Sequence, residues 1–110
     1  MEALTIEQFN FNKDEVSLLS STKFKNFPIV YILHNGTMRK PKAYIGQSVQ
    51  VRNRLNNHLV DKEKRKLNQA LVIAHDHFNQ SATYNIETKL INYFIADQKY
   101  EIIKDRKSVV

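Results

Sequence analysis

The sequence predicts a single small α/β domain, and three observations support this fold class. The chain has 110 residues, a length that suits one compact domain with its own core. Hydrophobic residues form 42% and charged residues 25% of the chain, as in globular proteins and unlike disordered ones. Three short strand-like runs, at 29–33, 42–47 and 70–74, are interspersed with segments of helical periodicity.

Residues 1–26 are polar and amphipathic, and we expect this lead-in to be helical and to cover one face of the domain at 27–98. Asn12 is a suitable N-cap for a short helix that extends to Leu19 and has acidic residues in its first turn. The tail at 99–110 is charged and carries no clear element, and it is compatible with truncation of a longer protein.

The first two strands are predicted to form a hairpin. Residues 29–33 follow Pro28 and make a buried strand. Asn35-Gly36 supplies a strong turn signal, and 42–47 forms the second strand beyond a longer loop.

A helix, a third strand and a long helix complete the predicted domain. Ser48 is a suitable N-cap for the first of these helices, whose apolar positions recur at helical spacing. Residues 70–74 are apolar enough for a central strand. Asn79 or Ser81 caps a helix that runs to Asp97.

Charge and composition narrow the possible functions. Seventeen Lys and Arg against eleven Asp and Glu give a net charge of +6. A basic domain commonly binds phosphate groups, although a merely soluble basic surface has the same composition. The absence of cysteine excludes a disulfide framework, a thiolate zinc site and a cysteine nucleophile. No apolar run approaches the roughly 20 residues of a membrane span, so we expect a cytoplasmic protein.

Gly46 is the more informative of the two glycines in the chain. The predicted turn explains Gly36, whereas Gly46 lies at a strand end, two residues after Tyr44. A glycine there permits close approach of a phosphate, and a β-bulge explains it equally well.

Arg54 and His58 lie four residues apart on the predicted helix and therefore share one side. Relative to Val51, both fall at the rim of the buried face, and Arg52 falls at its other margin. A rim arginine is commonly a surface residue with a buried stem. Beside a strand end, the pair is also suited to a catalytic site, and both interpretations remain open.

Glu87 lies inside the apolar arc of the last helix, between Phe94 and Ile91 in projection. Burial of a carboxylate is unfavourable unless it is paired or bound to a cation. A salt bridge to Lys or Arg explains Glu87 as well as a metal ligand or a catalytic acid does.

Together these residues resemble the GIY-YIG endonuclease superfamily over about residues 27–97. The matching positions are Val30-Tyr31-Ile32, Tyr44-Ile45-Gly46, Arg54 ten residues after Tyr44, His58, and Glu87 on a later helix. More loosely, the chain is similar to the GIY-YIG domains found at the N-terminus of bacterial proteins that continue into a helicase-like or ATPase region.

The resemblance implies a three-stranded, largely antiparallel sheet flanked by helices, and phosphodiester hydrolysis with Mg²⁺ or Mn²⁺. Tyr31 and Tyr44 would line the attacking water and the scissile phosphate. Arg54 would stabilise the phosphoryl oxygens, His58 would assist proton transfer, and Glu87 would hold the metal. Because free tyrosine has a pKa near 10, Arg54, His58 or the metal is expected to lower it. Tyr31 is the expected first proton acceptor, with His58 as the competing candidate.

The sequence departs from the family pattern at two points. The first motif, Ile29-Val30-Tyr31, lacks its glycine. Family members usually carry an asparagine some way beyond the glutamate, whereas Asn92 comes too soon and no asparagine follows it. The alternative function is therefore a non-catalytic nucleic-acid-binding or interaction module of a larger helicase-like protein. Retention of all five candidate catalytic residues favours a nuclease, with DNA as the expected substrate.

Substrate contacts are predicted at Gly46 and at basic positions, although a charge run such as 61–66 is commonly just a solvated loop. The predicted contact residues are Gly46, Arg39, Lys40, Arg52, Lys62, Lys64, Arg65 and Lys66. The catalytic side chains should converge in one cleft on the sheet. Placement of Glu87 on the opposite side of the sheet from Tyr31 would end the nuclease interpretation.

Overall fold

The computed structural model describes residues 4–17, 27–36, 39, 41–75 and 78–103. The elements in chain order are β1 (Leu4–Asn10), α1 (Lys13–Ser17), β2 (Ile29–His34), β3 (Lys42–Ser48), α2 (Val51–Leu59), a 3₁₀ turn (Lys64–Lys66), β4 (Gln69–His75), α3 (Gln80–Asp97) and β5 (Glu101–Ile102). Among the described residues, no helix is long and apolar enough to cross a membrane.

The strands form one five-stranded sheet in the order β1-β4-β2-β3-β5. The pairs β1–β4, β4–β2 and β2–β3 are antiparallel, and β5 is parallel to β3. The α/β class is therefore confirmed, and the three predicted strands are contiguous within the sheet. The expected sheet of three strands is too small, because an edge strand is added on each side and the sheet is mixed.

The N-terminal segment at 1–26 differs from its prediction, because half of its described residues form a strand and only five form a helix. β1 pairs with β4 over seven residue pairs from Leu4 to Asn10, so it extends the sheet at one edge. The predicted cap is confirmed, since Asn12 Oδ1 accepts a hydrogen bond of 2.8 Å from the backbone N–H of Glu15. Val16 of this short helix is buried in the core. Leu19, the expected helix end, lies outside the described residues.

The tail also contains an element that the sequence does not predict. β5 pairs with Lys42 and Ala43 of β3, and Ile103, directly after it, is buried in the core. Within the described residues, the rest of β3 forms the edge of the sheet. Residues 104–110 lie outside the description.

One face of the sheet, which we call the α2 face, packs against α1 and α2. Tyr31 of β2 pairs in register with Gly46 on one side and Val72 on the other, so all three lie on this face. The core on this side includes Leu55 of α2 and Val16 of α1.

The opposite face, which we call the α3 face, is covered by α3. Val30 lies on it and pairs with Gln47. The hydroxyl of Thr83 on α3 donates to Gln47 Oε1 at 3.2 Å, and farther along α3 the ring of Phe94 lies 5.5 Å from that of Tyr100. The two helices that carry the candidate site residues thus pack on different faces of the sheet.

The hairpin forms as predicted, but its turn differs from the usual Asn-Gly conformation. Asn35 closes the loop, since its N–H donates to Lys42 O at 3.2 Å and its Oδ1 accepts from Lys42 N at 2.6 Å. Gly36 does not have the positive φ that a type I′ turn requires. Its lack of a side chain instead leaves room for Tyr100, whose hydroxyl would lie 2.7 Å from a Cβ at this position.

The start of α2 also differs from its prediction. The helix begins at Val51, with Gln50 at the N-cap position. Ser48 Oγ accepts a hydrogen bond of 2.9 Å from Gln50 N, so this side chain stabilises the turn that precedes the helix. The predicted apolar stripe is confirmed at Val51 and Leu55, which are both buried.

Asn79 caps α3, as one of the two predicted candidates, by accepting a hydrogen bond of 2.8 Å from Ala82 N. We expect Asn79→Ala to lower the free energy of unfolding by about 1 kcal/mol, because a helix donor then loses its partner. Thermal unfolding measures this loss, and Gln80→Ala at the first helical position is the matched control. Equal melting temperatures for the two variants would show that the cap contributes no stability.

Candidate active site

The centre of the candidate site is a buried hydrogen bond between Tyr31 and His58. The Tyr31 hydroxyl lies 2.7 Å from His58 Nε2, and the two residues are only 0% and 3% exposed. β2 positions Tyr31 within the sheet. The helical spacing predicts His58 at the rim of the buried face of α2, whereas the structure buries it.

Tyr44 completes an aromatic cluster with these two residues. Its ring lies edge-on to His58 at 4.8 Å between centroids and 6.2 Å from the ring of Tyr31. Tyr44 pairs in register with Leu33, so it shares the α2 face with Tyr31 by the two-residue period of strands.

Gly46 makes room for the ring of Tyr31. A Cβ at Gly46 would lie 2.5 Å from the Tyr31 hydroxyl oxygen and 2.6 Å from Cζ. Strand pairing continues through Gly46 on both sides, from Ile45 to Gln47, which excludes a bulge as the explanation. The predicted phosphate contact at Gly46 is not supported on the α2 face, because Tyr31 occupies that space.

Gly46→Ala should therefore displace the Tyr31 hydroxyl from His58. We expect a loss of about 1–3 kcal/mol of stability from overpacking, together with loss of any activity that depends on the Tyr31–His58 pair. Thermal melts measure the first effect. Gly36→Ala is the control, because the atom that its Cβ would approach most closely is the hydroxyl oxygen of the less buried Tyr100. A Gly46→Ala variant as stable as Gly36→Ala would contradict this packing.

Arg54 links the two tyrosines. Its half-buried guanidinium forms hydrogen bonds with both Tyr31 and Tyr44. Burial lowers the pKa of Arg54, but attraction to the two tyrosines outweighs this and raises that pKa overall. Arg54 and His58 therefore belong to the same site, because both side chains contact the tyrosines. This arrangement is the one expected of a catalytic pair.

The pKa of Tyr31 is raised, contrary to the expectation that its neighbours lower it. Burial is the main cause and Tyr44 adds to it, while the charge and hydrogen bond of Arg54 act in the opposite direction. Burial prevails because the tyrosinate would lose its hydration. Tyr31 is therefore neutral at physiological pH, and proton transfer through it needs a concerted acceptor.

Lys64 belongs to the wall of this cluster and differs from its neighbours in the basic run. Lys64 is only 6% exposed. Its Nζ lies 4.2 Å from the centre of the Tyr44 ring, which is a cation–π geometry. Asp61 Oδ1 accepts from the backbone N–H groups of Glu63 and Lys64 and so fixes the turn. The pKa of Asp61 is lowered, mainly by the bond from Lys64 N. The sequence analysis did not predict this placement, which a capping role for Asp61 could have indicated.

Glu87 approaches the cluster from α3 and not from the α2 face. It is half-buried, and burial raises the pKa of its carboxyl, while the charge of Arg54 lowers it. It also interacts electrostatically with Tyr31. The expectation of a single cleft on one face is therefore wrong for the helix, because α3 packs on the face opposite Tyr31. The Glu87 carboxyl itself is not separated from the cluster, since it interacts electrostatically with Tyr31 and Arg54. Four side chains contact one another on one face, and Glu87 interacts with them from a helix on the other.

The remaining predicted substrate contacts are mostly at the surface. Arg39, Arg52, Lys62, Arg65 and Lys66 are exposed. Lys40 lies outside the described residues.

A divalent metal at this site would take most of its ligands from water and substrate. No group of three or more His, Asp or Glu side chains suited to a metal occurs among the described residues. Mg²⁺ commonly binds through one or two carboxylates together with water and substrate phosphates. Glu87, half-buried and with a raised pKa, suits such a site.

Comparison with known protein families, with curated proteins and with solved structures gives no match to this chain.

Proposed function

We propose that the protein hydrolyses phosphodiester bonds of nucleic acid, with DNA as substrate, in a reaction that depends on Mg²⁺ or Mn²⁺. The observation that carries this proposal is the cluster of Tyr31, His58, Tyr44 and Arg54, joined by a 2.7 Å bond between Tyr31 and His58. These are four of the five catalytic positions in the resemblance to GIY-YIG endonucleases. A cation, a relay of proton-transfer groups and a nearby carboxylate are the parts that phosphodiester hydrolysis needs.

The order of proton transfer follows from burial. Tyr31 and His58 are 0% and 3% exposed, and His58 Nε2 has the Tyr31 hydroxyl as its hydrogen-bond partner, so a proton that reaches Nε2 comes from that hydroxyl. The Tyr31 oxygen accepts the proton of the attacking water as its own proton passes to His58 Nε2. This concerted transfer avoids a free tyrosinate, which the raised pKa of Tyr31 disfavours.

Arg54 binds the phosphate, and its movement exposes the hydrogen-bonded pair of Tyr31 and His58. Its guanidinium is hydrogen-bonded to both tyrosines in the free protein. A phosphate offers two charge-assisted hydrogen bonds to a guanidinium, which are stronger than bonds to neutral hydroxyls. Binding of substrate therefore draws Arg54 away from Tyr31, which is fully buried until then, and places the cation against the phosphoryl oxygens.

Glu87 is the proposed metal ligand. A bound Mg²⁺ or Mn²⁺ supplies charge stabilisation to the phosphoryl and leaving oxygens. The charge of Arg54 acts on Glu87, so the carboxylate and the phosphate-binding cation lie in one electrostatic neighbourhood.

The experiment that tests this function is incubation of the purified chain with supercoiled plasmid and with single-stranded DNA. Nicked or shortened products should form with Mg²⁺ or Mn²⁺ and should be absent with a chelator. Intact substrate under every metal condition, from protein that binds DNA, would contradict the proposal.

Binding should weaken with salt through the exposed basic residues. Each neutralised phosphate adds about one unit to the slope of log affinity against log salt. Changing Lys62, Arg65 and Lys66 together to Gln should reduce that slope by about three units. Fluorescence anisotropy across a salt series measures it, with Lys89→Gln on the outer side of α3 as a control for loss of charge alone. An unchanged slope in the triple variant would exclude the basic run from the interface.

A non-catalytic nucleic-acid-binding module is the second candidate function. Two observations favour it: Tyr31 is fully buried, and Glu87 comes from the helix on the opposite face of the sheet from Tyr31. Salt-dependent binding without cleavage in the same assays would support it over the nuclease.

A further inference from the structure

A polar cleft lies where α3 begins beside the end of β3. Its volume is about 570 Å³, and it is lined by Gln47, Gln80, Ser81, Tyr84 and Asn85. All five side chains are uncharged, in a chain with a net charge of +6. An uncharged lining of this kind suits a neutral polar ligand better than a phosphate or a metal ion.

The cleft lies on the α3 face, on the same helix as Glu87 and on the opposite side of the sheet from the aromatic cluster. Gln47 directly follows Gly46 on β3, and its side chain is held by the hydroxyl of Thr83 at 3.2 Å. Tyr84 lies three residues before Glu87 on α3, so the two are neighbours on the helix surface. A ligand in this cleft would therefore lie one helical turn from Glu87.

The lining residues offer the two interactions by which proteins bind free bases. Tyr84 is 61% exposed, and an exposed aromatic ring stacks on a base of any sequence. Side-chain amides such as those of Gln47 and Asn85 present a donor and an acceptor together, which matches the hydrogen-bonding edge of a base.

We propose that this cleft binds one unpaired nucleobase of the substrate, stacked on Tyr84, next to the scissile phosphodiester. The inference rests on the proposed function, because it takes the strand to lie along Glu87. A base inside a duplex is already stacked and paired. The cleft therefore selects single-stranded or locally unpaired nucleic acid.

Binding measured in a chelator tests this inference separately from cleavage. The probes are a fluorescein-labelled single-stranded 12-mer and the fully paired duplex of the same sequence, followed by anisotropy. Tyr84→Ala removes the ring and Tyr84→Phe retains it. Tyr93→Ala is the matched control, because Tyr93 is a 69% exposed tyrosine on the same helix.

Tyr84→Ala should weaken single-strand binding about tenfold and leave duplex binding unchanged. Tyr84→Phe and Tyr93→Ala should bind both probes like the wild type. An abasic position in the 12-mer should weaken wild-type binding, and the same change should not affect Tyr84→Ala.

Three results would overturn the inference. In the first, Tyr84→Ala loses no more affinity than Tyr93→Ala. In the second, Tyr84→Ala loses the same affinity for both probes, which would indicate that Tyr84 contacts the nucleic-acid backbone and not a base. In the third, maltotriose displaces the single strand from wild type but not from Tyr84→Ala, which assigns the cleft to carbohydrate. Failure of the nuclease proposal gives a different result. Binding of the single strand would still depend on Tyr84, but no metal-dependent cleavage would occur.

Discussion

Replacement of Glu87 with glutamine should reduce metal-dependent cleavage by about three orders of magnitude. The amide keeps the size of the side chain but lacks the negative charge that a hard cation such as Mg²⁺ prefers. Stabilisation of the phosphoryl and leaving oxygens is thereby lost. DNA binding should be retained, because the exposed basic residues are untouched.

The same variant should be at least as stable as the wild type when no metal is present. Burial raises the pKa of Glu87 above its ordinary value. For such a carboxyl, the folded state disfavours the ionised form, so stability decreases as pH rises past the ordinary pKa. The advantage of Glu87→Gln should therefore be present at pH 7 and vanish below about pH 4.

Thermal melts across pH, run beside the cleavage assay, separate a metal ligand from a structural ion pair. If Glu87 mainly serves as the ion-pair partner of Arg54, Glu87→Gln should be destabilised at neutral pH, because a partly buried cation loses its counter-charge. A destabilised variant, together with a wild type whose melting temperature does not respond to Mg²⁺, would contradict the metal assignment.

Tyr31→Phe should lower the cleavage rate by a factor of about 10² to 10⁴, the usual contribution of a positioned proton-transfer group. The variant removes the hydroxyl that lies 2.7 Å from His58 Nε2 and keeps the ring that packs over Gly46. Stability should fall by about 1 kcal/mol through loss of that buried hydrogen bond. Tyr93→Phe, at an exposed position on α3, is the matched control for both measurements.

The pH dependence of the wild-type cleavage rate tests the proposed proton transfer from Tyr31 to His58. Since burial raises the pKa of Tyr31, the cleavage rate should not increase with the ordinary ionisation of tyrosine near pH 10. A rate limb near pH 10 that disappears in Tyr31→Phe would show that a free tyrosinate is the base, and would contradict the concerted transfer to His58.

Much of the fold could be predicted because its central strands carry their own pattern. The runs at 29–33, 42–47 and 70–74 are apolar or β-branched enough to identify β2, β3 and β4. β1 alternates half-buried and exposed residues in a polar segment, and β5 has only two residues. Both edge strands depend on pairing with a neighbour, which local sequence does not show.

The site could be predicted where local spacing determines the contact. The four-residue spacing of Arg54 and His58 places both on one side of α2, and both contact the tyrosines. The position of Glu87 was predicted only in part, since helical periodicity shows which side of α3 is buried but not which face of the sheet α3 covers. The charge of Lys64 predicts an exposed substrate contact, whereas the turn at Asp61 directs the side chain to Tyr44 and buries it.

The central claim is tested most directly by single-turnover cleavage of a labelled DNA oligonucleotide over a Mg²⁺ titration, with wild type and Glu87→Gln at saturating protein. The account predicts that the wild-type rate rises with Mg²⁺ to a plateau, while Glu87→Gln stays near the chelator background at every concentration. Equal Mg²⁺ dependence in both proteins, or no cleavage by wild type that is bound to the oligonucleotide, would contradict it.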